Sequence, residues 1–142
     1  MILTFRAVPR LETPSIWPEA WEILQAAYRR PGLAGLFDSG DVLSRLTDAR
    51  AQLWVAETEN RMTTACITQI EQYPRGKICR IVAIAGDGHG LWRDWFTEIA
   101  RWARNEGCQF VRGEGRSGWE RIMADAGLKR LGSVYSMETT DG

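Results

Sequence analysis

A glycine-rich turn between a strand and a long helix is the stretch of this 142-residue sequence most suited to holding a ligand. Residues 80–85 form an apolar, β-branched run, residues 86–90 read Gly-Asp-Gly-His-Gly, and residues 91–106 have helical apolar periodicity. Such a turn presents unpaired backbone N–H groups and the positive end of a helix dipole, where a phosphate can bind. A tight strand-to-helix connection also needs glycine, so both interpretations stay open.

Three side chains are candidates for acid–base chemistry. His89 is the only histidine and could act as a base, because imidazole readily exchanges a proton near neutral pH. Glu71 and Tyr73 lie at the end of a long predicted strand, where a carboxylate acting through water could deprotonate an ammonium group. The alternatives are a solvated loop histidine and an ordinary exposed strand end.

Metal chemistry is not expected from this composition. Cys66, Cys79 and Cys108 are widely spaced, and one histidine cannot complete the usual zinc-ligand patterns or a convincing Ser-His-Asp triad. All three cysteines fall in predicted strands or at a strand start, which is typical of reduced thiols in a core. We therefore predict no bound metal.

Charge and length favour one domain, spanning residues 1–142, that is soluble and cytoplasmic. Eighteen basic and eighteen acidic residues give a formal net charge of zero, so no overall field attracts nucleic acid or an anionic membrane. We see no apolar run of the roughly 18–20 residues that a membrane span needs, and no signal-like start. The seven tryptophans suit core packing or, alternatively, a partner interface.

The apolar pattern and the turn signals predict the elements that position these residues. They are, in order, a strand at 2–8, a helix starting near Ser15 and stopped by Pro31, a helical turn at 33–38, a helix from about Ser39 to Arg50, strands at 52–58, 61–72 and 78–85, the helix at 91–106, a strand at 108–112, a helix capped by Ser117 and Glu120, and a last strand at 128–139. The middle strands should form a meander, and the strand at 108–112 should pair in parallel through a βαβ unit.

This order of elements resembles the GNAT superfamily of acyl-CoA-dependent N-acetyltransferases. The resemblance implies an α/β or α+β fold with a mixed, mostly antiparallel sheet, flanking helices and a central βαβ unit. In that family the strand before the loop contacts the pantetheine arm, and the loop N–H groups hold the coenzyme A pyrophosphate. The resemblance thus implies acetyl-CoA as cofactor, an amine as substrate and a cofactor site made by Val82, Ile84, Gly86, Gly88, His89, Gly90 and Leu91.

The sequence also departs from the family pattern at two places. The family's loop usually reads R/Q-x-x-G-x-G/A, whereas this chain has no Arg or Gln at the matching start and carries Asp87, whose charge opposes a pyrophosphate. Gly127-Leu128 stands for the family's Gly-Phe, and Met123 occupies the position where a Tyr commonly protonates the leaving thiolate. Because a thioether cannot donate a proton, this chain carries the family's catalytic signatures in degenerate form.

A second resemblance is to small GNAT-like proteins encoded by tailed bacteriophages, carried by the segment Gly-Trp-Glu-Arg at 118–121. It implies a non-catalytic, virion-associated protein, located in the host cytoplasm or the particle, with other virion proteins as partners. The sequence therefore leaves two functions open: an N-acetyltransferase, and an interaction protein built on the same fold.

Overall fold

The computed structural model describes residues 2–114 and 119–139. Along the described chain the elements are β1 (Thr4–Ala7), α1 (Thr13–Tyr28), α2 (Ser39–Thr47), β2 (Gln52–Glu57), β3 (Met62–Tyr73), β4 (Gly76–Gly86), α3 (Trp92–Asn105), β5 (Phe110–Gly113) and α4 (Glu120–Asp125). The mixed α+β architecture agrees with the sequence prediction.

The strands form one sheet in the order β1-β2-β3-β4-β5. The first four strands pair antiparallel with their neighbours, and β5 pairs in parallel with β4. This confirms the predicted meander and the predicted βαβ unit, in which α3 is the crossover between the two parallel strands.

The helices cover both faces of the sheet, because the strand side chains alternate between two apolar clusters. Leu53 and Val55 of β2 point to the face covered by α1 and α2, which we call the α1 face. Trp54, between them, points to the opposite face, covered by α3 and α4 and called the α3 face. On that face the indole N–H of Trp54 donates to Thr68 Oγ1 at 3.0 Å, which satisfies the buried polar atom.

The helix α1 begins earlier than predicted. We expected Ser15 or a near neighbour to cap the helix and Pro18 to lie in its first turn, but the cap residue is Glu12, the helix begins at Thr13 with Pro14 in its first turn, and Pro18 lies inside it. The hydroxyl of Ser15 donates instead to the Glu12 carbonyl at 2.7 Å. Proline is tolerated in a first turn because the N–H it lacks has no partner there, so the earlier Pro14 sets the start.

The second helix is capped by Asp38. Asp38 Oδ1 accepts from the Asp41 N–H at 2.8 Å, and the Asp41 carboxylate accepts from the Asp38 N–H at 3.0 Å, so each residue satisfies the other's backbone group. Residues 33–38, predicted as a turn of helix, form only turns and a short extended link. An aspartate cap with this reciprocal geometry fixes the start of α2 at Ser39.

The last predicted strand is also wrong. Residues 128–139 have no regular secondary structure, and Leu131 and Tyr135 are 76% and 91% exposed. The sequence has strand composition there, but a strand forms only when a neighbouring edge pairs with it. The predicted capping box before α4 cannot be compared, since Ser117 lies outside the described residues.

The cysteine thiols are reduced in the described chain. Cys66 and Cys79 are fully buried, whereas Cys108 is only partly buried. Burial raises the pKa of Cys66 and raises that of Cys79 to about 12, so both thiols stay protonated at neutral pH. In residues 2–114 and 119–139, no three His, Cys, Asp or Glu side chains group as a metal site, and no helix is long and apolar enough to cross a membrane.

A polar network ties β1 to the start of α1. Arg6 Nε donates to Glu57 Oε1 at 2.7 Å, and its two Nη atoms donate to the Glu12 carboxylate at 2.7 and 3.0 Å. The hydrogen bonds that the Glu12 carboxylate accepts from Arg6 are the largest cause of a lowered pKa at Glu12.

We expect the stabilisation from this network to disappear in acid. Because the folded-state pKa of Glu12 lies below its unfolded value, the contribution is complete above the unfolded pKa and is lost as pH falls through the folded pKa. The difference in urea midpoint between the wild type and Glu12→Gln should therefore shrink from pH 7 toward pH 3. A difference that stays constant with pH would contradict this account.

Candidate functional site

The pairing of the parallel strands β4 and β5 ends halfway along β4, where β5 ends at Gly113. Their pairing runs from Ile78 with Phe110 to Ile81 with Gly113, and among the described residues no β5 partner continues beyond it. The second half of β4, residues 82–86, thus has its β5 side unpaired within the described chain. That side leads directly to the glycine loop.

A β-bulge in β4 lies directly after Ile81, the last residue that pairs with β5. On β3, Thr68 pairs with Ile81 and Ile67 pairs with Ala83, so Val82 is the extra residue. Ile81 packs on the α3 face, whereas Val82 and Ala83 both pack on the α1 face, which breaks the two-residue alternation. A guanidinium nitrogen of Arg30 donates to the Val82 carbonyl at 2.9 Å and fixes the bulge.

The beginning of the loop is held tightly against β3. Gly86 has a φ of +109°, and a Cβ added there would collide with the Thr63 carbonyl oxygen and lie 2.8 Å from Thr64 Cα. The Asp87 N–H donates to Thr63 O at 3.2 Å, and Thr64 Oγ1 donates to Asp87 O at 2.6 Å. Only glycine fits this position without moving backbone.

The middle of the loop is stabilised by its own carboxylate. Asp87 Oδ1 accepts from the His89 N–H at 2.8 Å, and the other oxygen lies 3.6 Å from His89 Nε2. His89 and Gly90 both have positive φ, 49° and 75°, and the Leu91 N–H donates to Gly88 O at 2.7 Å. Asp87 therefore already occupies one N–H that a phosphate would otherwise receive.

The indole of Trp92, the first residue of α3, lies on Gly88. A Cβ added at Gly88 would collide with Trp92 Nε1 and stand 2.6 Å from its Cδ1. The ring is held by edge contacts with Trp95 and Trp119, at centroid distances of 5.3 and 4.9 Å, and by stacking on Phe96 at 6.2 Å. The space directly above Gly88 is consequently filled by an aromatic side chain.

The structure does not bring the other predicted catalytic residues to this loop. Glu71 pairs with Ile78 near the β3–β4 turn, eight residues along β4 from Gly86, or about 26 Å at the rise of a strand. Its carboxylate accepts from Arg80 Nε at 2.7 Å, and Tyr73 is 45% exposed beyond it. His89 is the one of the three that lies in the loop.

Met123, which occupies the position of the family's tyrosine, lies beside the end of β5. A Cβ added at Gly113, at the end of β5, would stand 3.6 Å from Met123 Cε and 3.4 Å from Ile81 Cβ. Met123 therefore lies next to the point where β4 leaves β5. Its thioether contributes apolar contact there and has no proton to donate.

These residues fit a coenzyme A in part. The unpaired side of β4 offers backbone groups suited to an amide-bearing arm, and the loop leads to the N-terminus of α3, where α3 has no side-chain cap hydrogen bond. The Trp92 indole and the Asp87 carboxylate stand against the loop, so a pyrophosphate needs both side chains to move. The unpaired side of β4 therefore fits the arm of the coenzyme, whereas the loop fits its pyrophosphate only after the Trp92 and Asp87 side chains move.

A separate cavity of about 250 Å³ lies at the opposite end of the sheet. Arg50, Thr68 and Trp102 are among its lining residues, and none of the predicted site residues is. It is near the C-terminal end of α3, whereas the loop is at the N-terminal end. Cavity size alone therefore does not identify the candidate site.

Sequence reasoning placed Trp92 on the apolar side of the helix at 91–106 and named it as a side chain that could plug a gap beside the loop, but it missed the bulge at Val82 and its contact with Arg30. A signal for Trp92 exists, because helical side chains point back toward the helix N-terminus and a first-turn residue covers the preceding loop. No comparable signal marks the bulge, since Val82 sits in an unbroken apolar run. Arg30 follows α1 in sequence and meets β4 only through the tertiary fold.

No protein-family sequence model and no curated protein sequence matches the chain. Solved structures do match it. An aminoglycoside acetyltransferase from an uncultured soil metagenomic sample, in complex with sisomicin, has a TM-score of 0.72 at 14% identity over 97% of this chain and 95% of that one.

Two further structures show the same likeness. A predicted acetyltransferase from Clostridium acetobutylicum, with acetyl-CoA, has a TM-score of 0.71 at 10% identity over 96% of each chain. Glucosamine-6-phosphate N-acetyltransferase from Arabidopsis thaliana has a TM-score of 0.67 at 13% identity over 99% of this chain and 100% of that one. The chain therefore has the fold of the GNAT acetyltransferases.

Proposed function

We propose that this protein binds acetyl-CoA and transfers the acetyl group to an amine. The observation that carries the proposal is the side of β4 that has no strand partner after Ile81 within the described chain, on a strand that ends in the glycine loop. The similar solved structures are acetyltransferases, one of them with acetyl-CoA, and they span nearly the whole chain.

The chain's own groups have distinct roles under this proposal. Backbone groups of residues 82–85 bind the pantetheine arm, and N–H groups of residues 86–91 bind the pyrophosphate. The thioester supplies an acyl group activated for attack by an amine. Met123 supplies apolar contact. A base for the amine stays a prediction from the sequence, with Glu71, Tyr73 and His89 as candidates, and His89 lies among the residues assigned to the pyrophosphate rather than beside the thioester.

Calorimetric titration with acetyl-CoA tests the proposal. We expect micromolar binding by the wild type and loss of binding in Gly88→Glu, because a carboxylate in the loop repels the pyrophosphate. Release of free thiol in the presence of primary amines should then follow binding. No heat at millimolar acetyl-CoA would overturn the proposal.

The matched control is Gly40→Glu. It introduces the same side chain in the first turn of α2, where a Cβ meets only Asp38 Oδ1 at 3.5 Å. Its affinity for acetyl-CoA should equal that of the wild type. Far-ultraviolet circular dichroism of both variants checks that the fold is kept.

A second candidate function is favoured by the filled loop. With Trp92 on Gly88, Asp87 on the His89 N–H and Met123 at the tyrosine position, the same fold suits a non-catalytic interaction protein. Its virion association stays a prediction from the phage resemblance. The calorimetric titration separates the two candidates, because this one requires no affinity for acetyl-CoA.

A further inference from the structure

Two arginines lie side by side where the pairing of β4 with β5 ends. Arg80 of β4 and Arg112 of β5 are partners in the parallel register. Their neighbours Cys79 and Val111 pack in the cluster on the α3 face, so both arginines point to the α1 face. Because two positive charges on neighbouring strands repel each other, this pair requires negative charge beside it.

Of the two, Arg80 is the one that has a carboxylate partner in the described chain. Its Nε donates to Glu71 Oε1 at 2.7 Å, and its Nη1 lies 3.7 Å from Glu114 Oε1. Arg112 forms no ion pair with residues 2–114 or 119–139, and its guanidinium lies over the ring of Phe110, 5.3 Å from the centroid. The ring thus orients a planar set of N–H donors that matches a carboxylate.

The surface around Arg112 is accessible and carries both charged and aromatic groups. Phe110 is 56% exposed, and Tyr73, two residues along β3 from Glu71, is 45% exposed, so α1 and α2 do not cover this part of the sheet. Glu114 follows Arg112 by two residues, about 7 Å along a strand, and its side chain is 55% exposed. A guanidinium, a carboxylate and two rings at this spacing suit a small zwitterion with an apolar side chain.

This patch, formed by Tyr73, Phe110, Arg112 and Glu114, adjoins the strand to which the coenzyme arm is assigned. The arm binds along residues 82–85 and the pyrophosphate binds at the loop, so the acyl end is directed back along β4 toward Ile81. Arg80 and Arg112 are the preceding pair of the same two strands. A ligand on the patch is therefore on the acyl side of the proposed coenzyme site.

We propose that this patch binds a free α-amino acid with an apolar side chain and, resting on the proposed function, that its amine accepts the acetyl group. Arg112 binds the carboxylate, Glu114 binds the ammonium group, and Phe110 and Tyr73 contact the side chain. In the transfer the nitrogen bonds to the acetyl carbon as the carbon–sulfur bond breaks. The ammonium group gives up two protons, of which one ends on the coenzyme thiol and the other in solvent.

Calorimetric titration with phenylalanine and phenethylamine, which differ only in the carboxylate, tests the binding site. Phenylalanine should bind the wild type, and Arg112→Gln should weaken its binding at least about tenfold, because a charge-assisted pair of hydrogen bonds is lost. Arg112→Lys, which keeps the charge, should retain part of the affinity, and phenethylamine should bind more weakly than phenylalanine. The matched control is Arg61→Gln, an exposed arginine between β2 and β3, which should bind phenylalanine as the wild type does.

Thiol release from acetyl-CoA tests the acceptor role and separates it from the proposed function. Arg112→Gln should raise the ratio of the KM for phenylalanine to that for phenethylamine at least about tenfold. Thiol release with the wild-type ratio in this variant, or no heat with phenylalanine in the presence or absence of coenzyme A, overturns the amino-acid site and leaves the proposed function standing. Binding of phenylalanine that depends on Arg112, without any binding of acetyl-CoA, keeps the site and overturns the transfer.

Discussion

Gly86→Ala should lower the free energy of unfolding by about 3 kcal/mol, because the new methyl group meets backbone that cannot rotate away. Gly86 has a φ of +109°, where an L-residue is strained, and the site of its Cβ is already occupied by the Thr63 carbonyl oxygen. That carbonyl accepts the Asp87 N–H, so moving it also breaks the hydrogen bond that holds the loop to β3.

Gly90→Ala separates the two parts of this effect. Gly90 also has a positive φ, 75°, but a Cβ there has nothing within 4 Å. We expect a loss of only about 1 kcal/mol from backbone strain in this variant. Urea unfolding of both variants measures the difference. Equal losses would mean that close approach to β3 contributes nothing and that the strain alone matters.

The central βαβ unit is predictable from the sequence because its signals are strong and local. The apolar stripe of α3 buries Trp95, Phe96 and Ile99, as the helical period requires, and the glycines fall where the chain must turn. A crossover helix then favours parallel pairing of β5 with β4, which the structure has.

The bulge and the C-terminal segment are not predictable because they depend on register and partners. Val82 is one apolar residue in an apolar run, yet its insertion between two pairs sends it and Ala83 to the same face. Residues 128–139 have strand composition but pair with no strand among the described residues. Local composition indicates that a strand can form and does not indicate which edge will bind it.

The glycine loop itself was predictable as a strand-to-helix connection, whereas its internal contacts were only partly predictable. The sequence identifies the glycine loop and the departures at Asp87 and Met123, and the structure adds that Asp87 binds the His89 N–H. The helical period puts Trp92 on the apolar face of α3, and the structure adds that its ring also covers Gly88. Whether the loop accepts an anion depends on that last contact.

Under the proposed function, Trp92→Ala should tighten acetyl-CoA binding at least about tenfold. A pyrophosphate in the loop must displace the indole from Gly88 and disrupt its contacts with Trp95, Trp119 and Phe96. Each aromatic pair contributes about 0.5–1.5 kcal/mol, so removing the ring beforehand removes a cost of at least about 1.4 kcal/mol, or tenfold in the dissociation constant.

Trp102→Ala is the control for this variant. Trp102 lies on the same helix near the cavity at the far end of the sheet, with its ring 5.4 Å from that of Trp54. Its loss should lower stability, as an aromatic truncation does, and leave the affinity for acetyl-CoA unchanged. Calorimetry on the two variants and the wild type decides the point. An unchanged dissociation constant in Trp92→Ala would mean that the indole does not compete with the cofactor. If none of the three proteins gave heat with acetyl-CoA, the non-catalytic candidate would be favoured, because removing the indole would have exposed no coenzyme site.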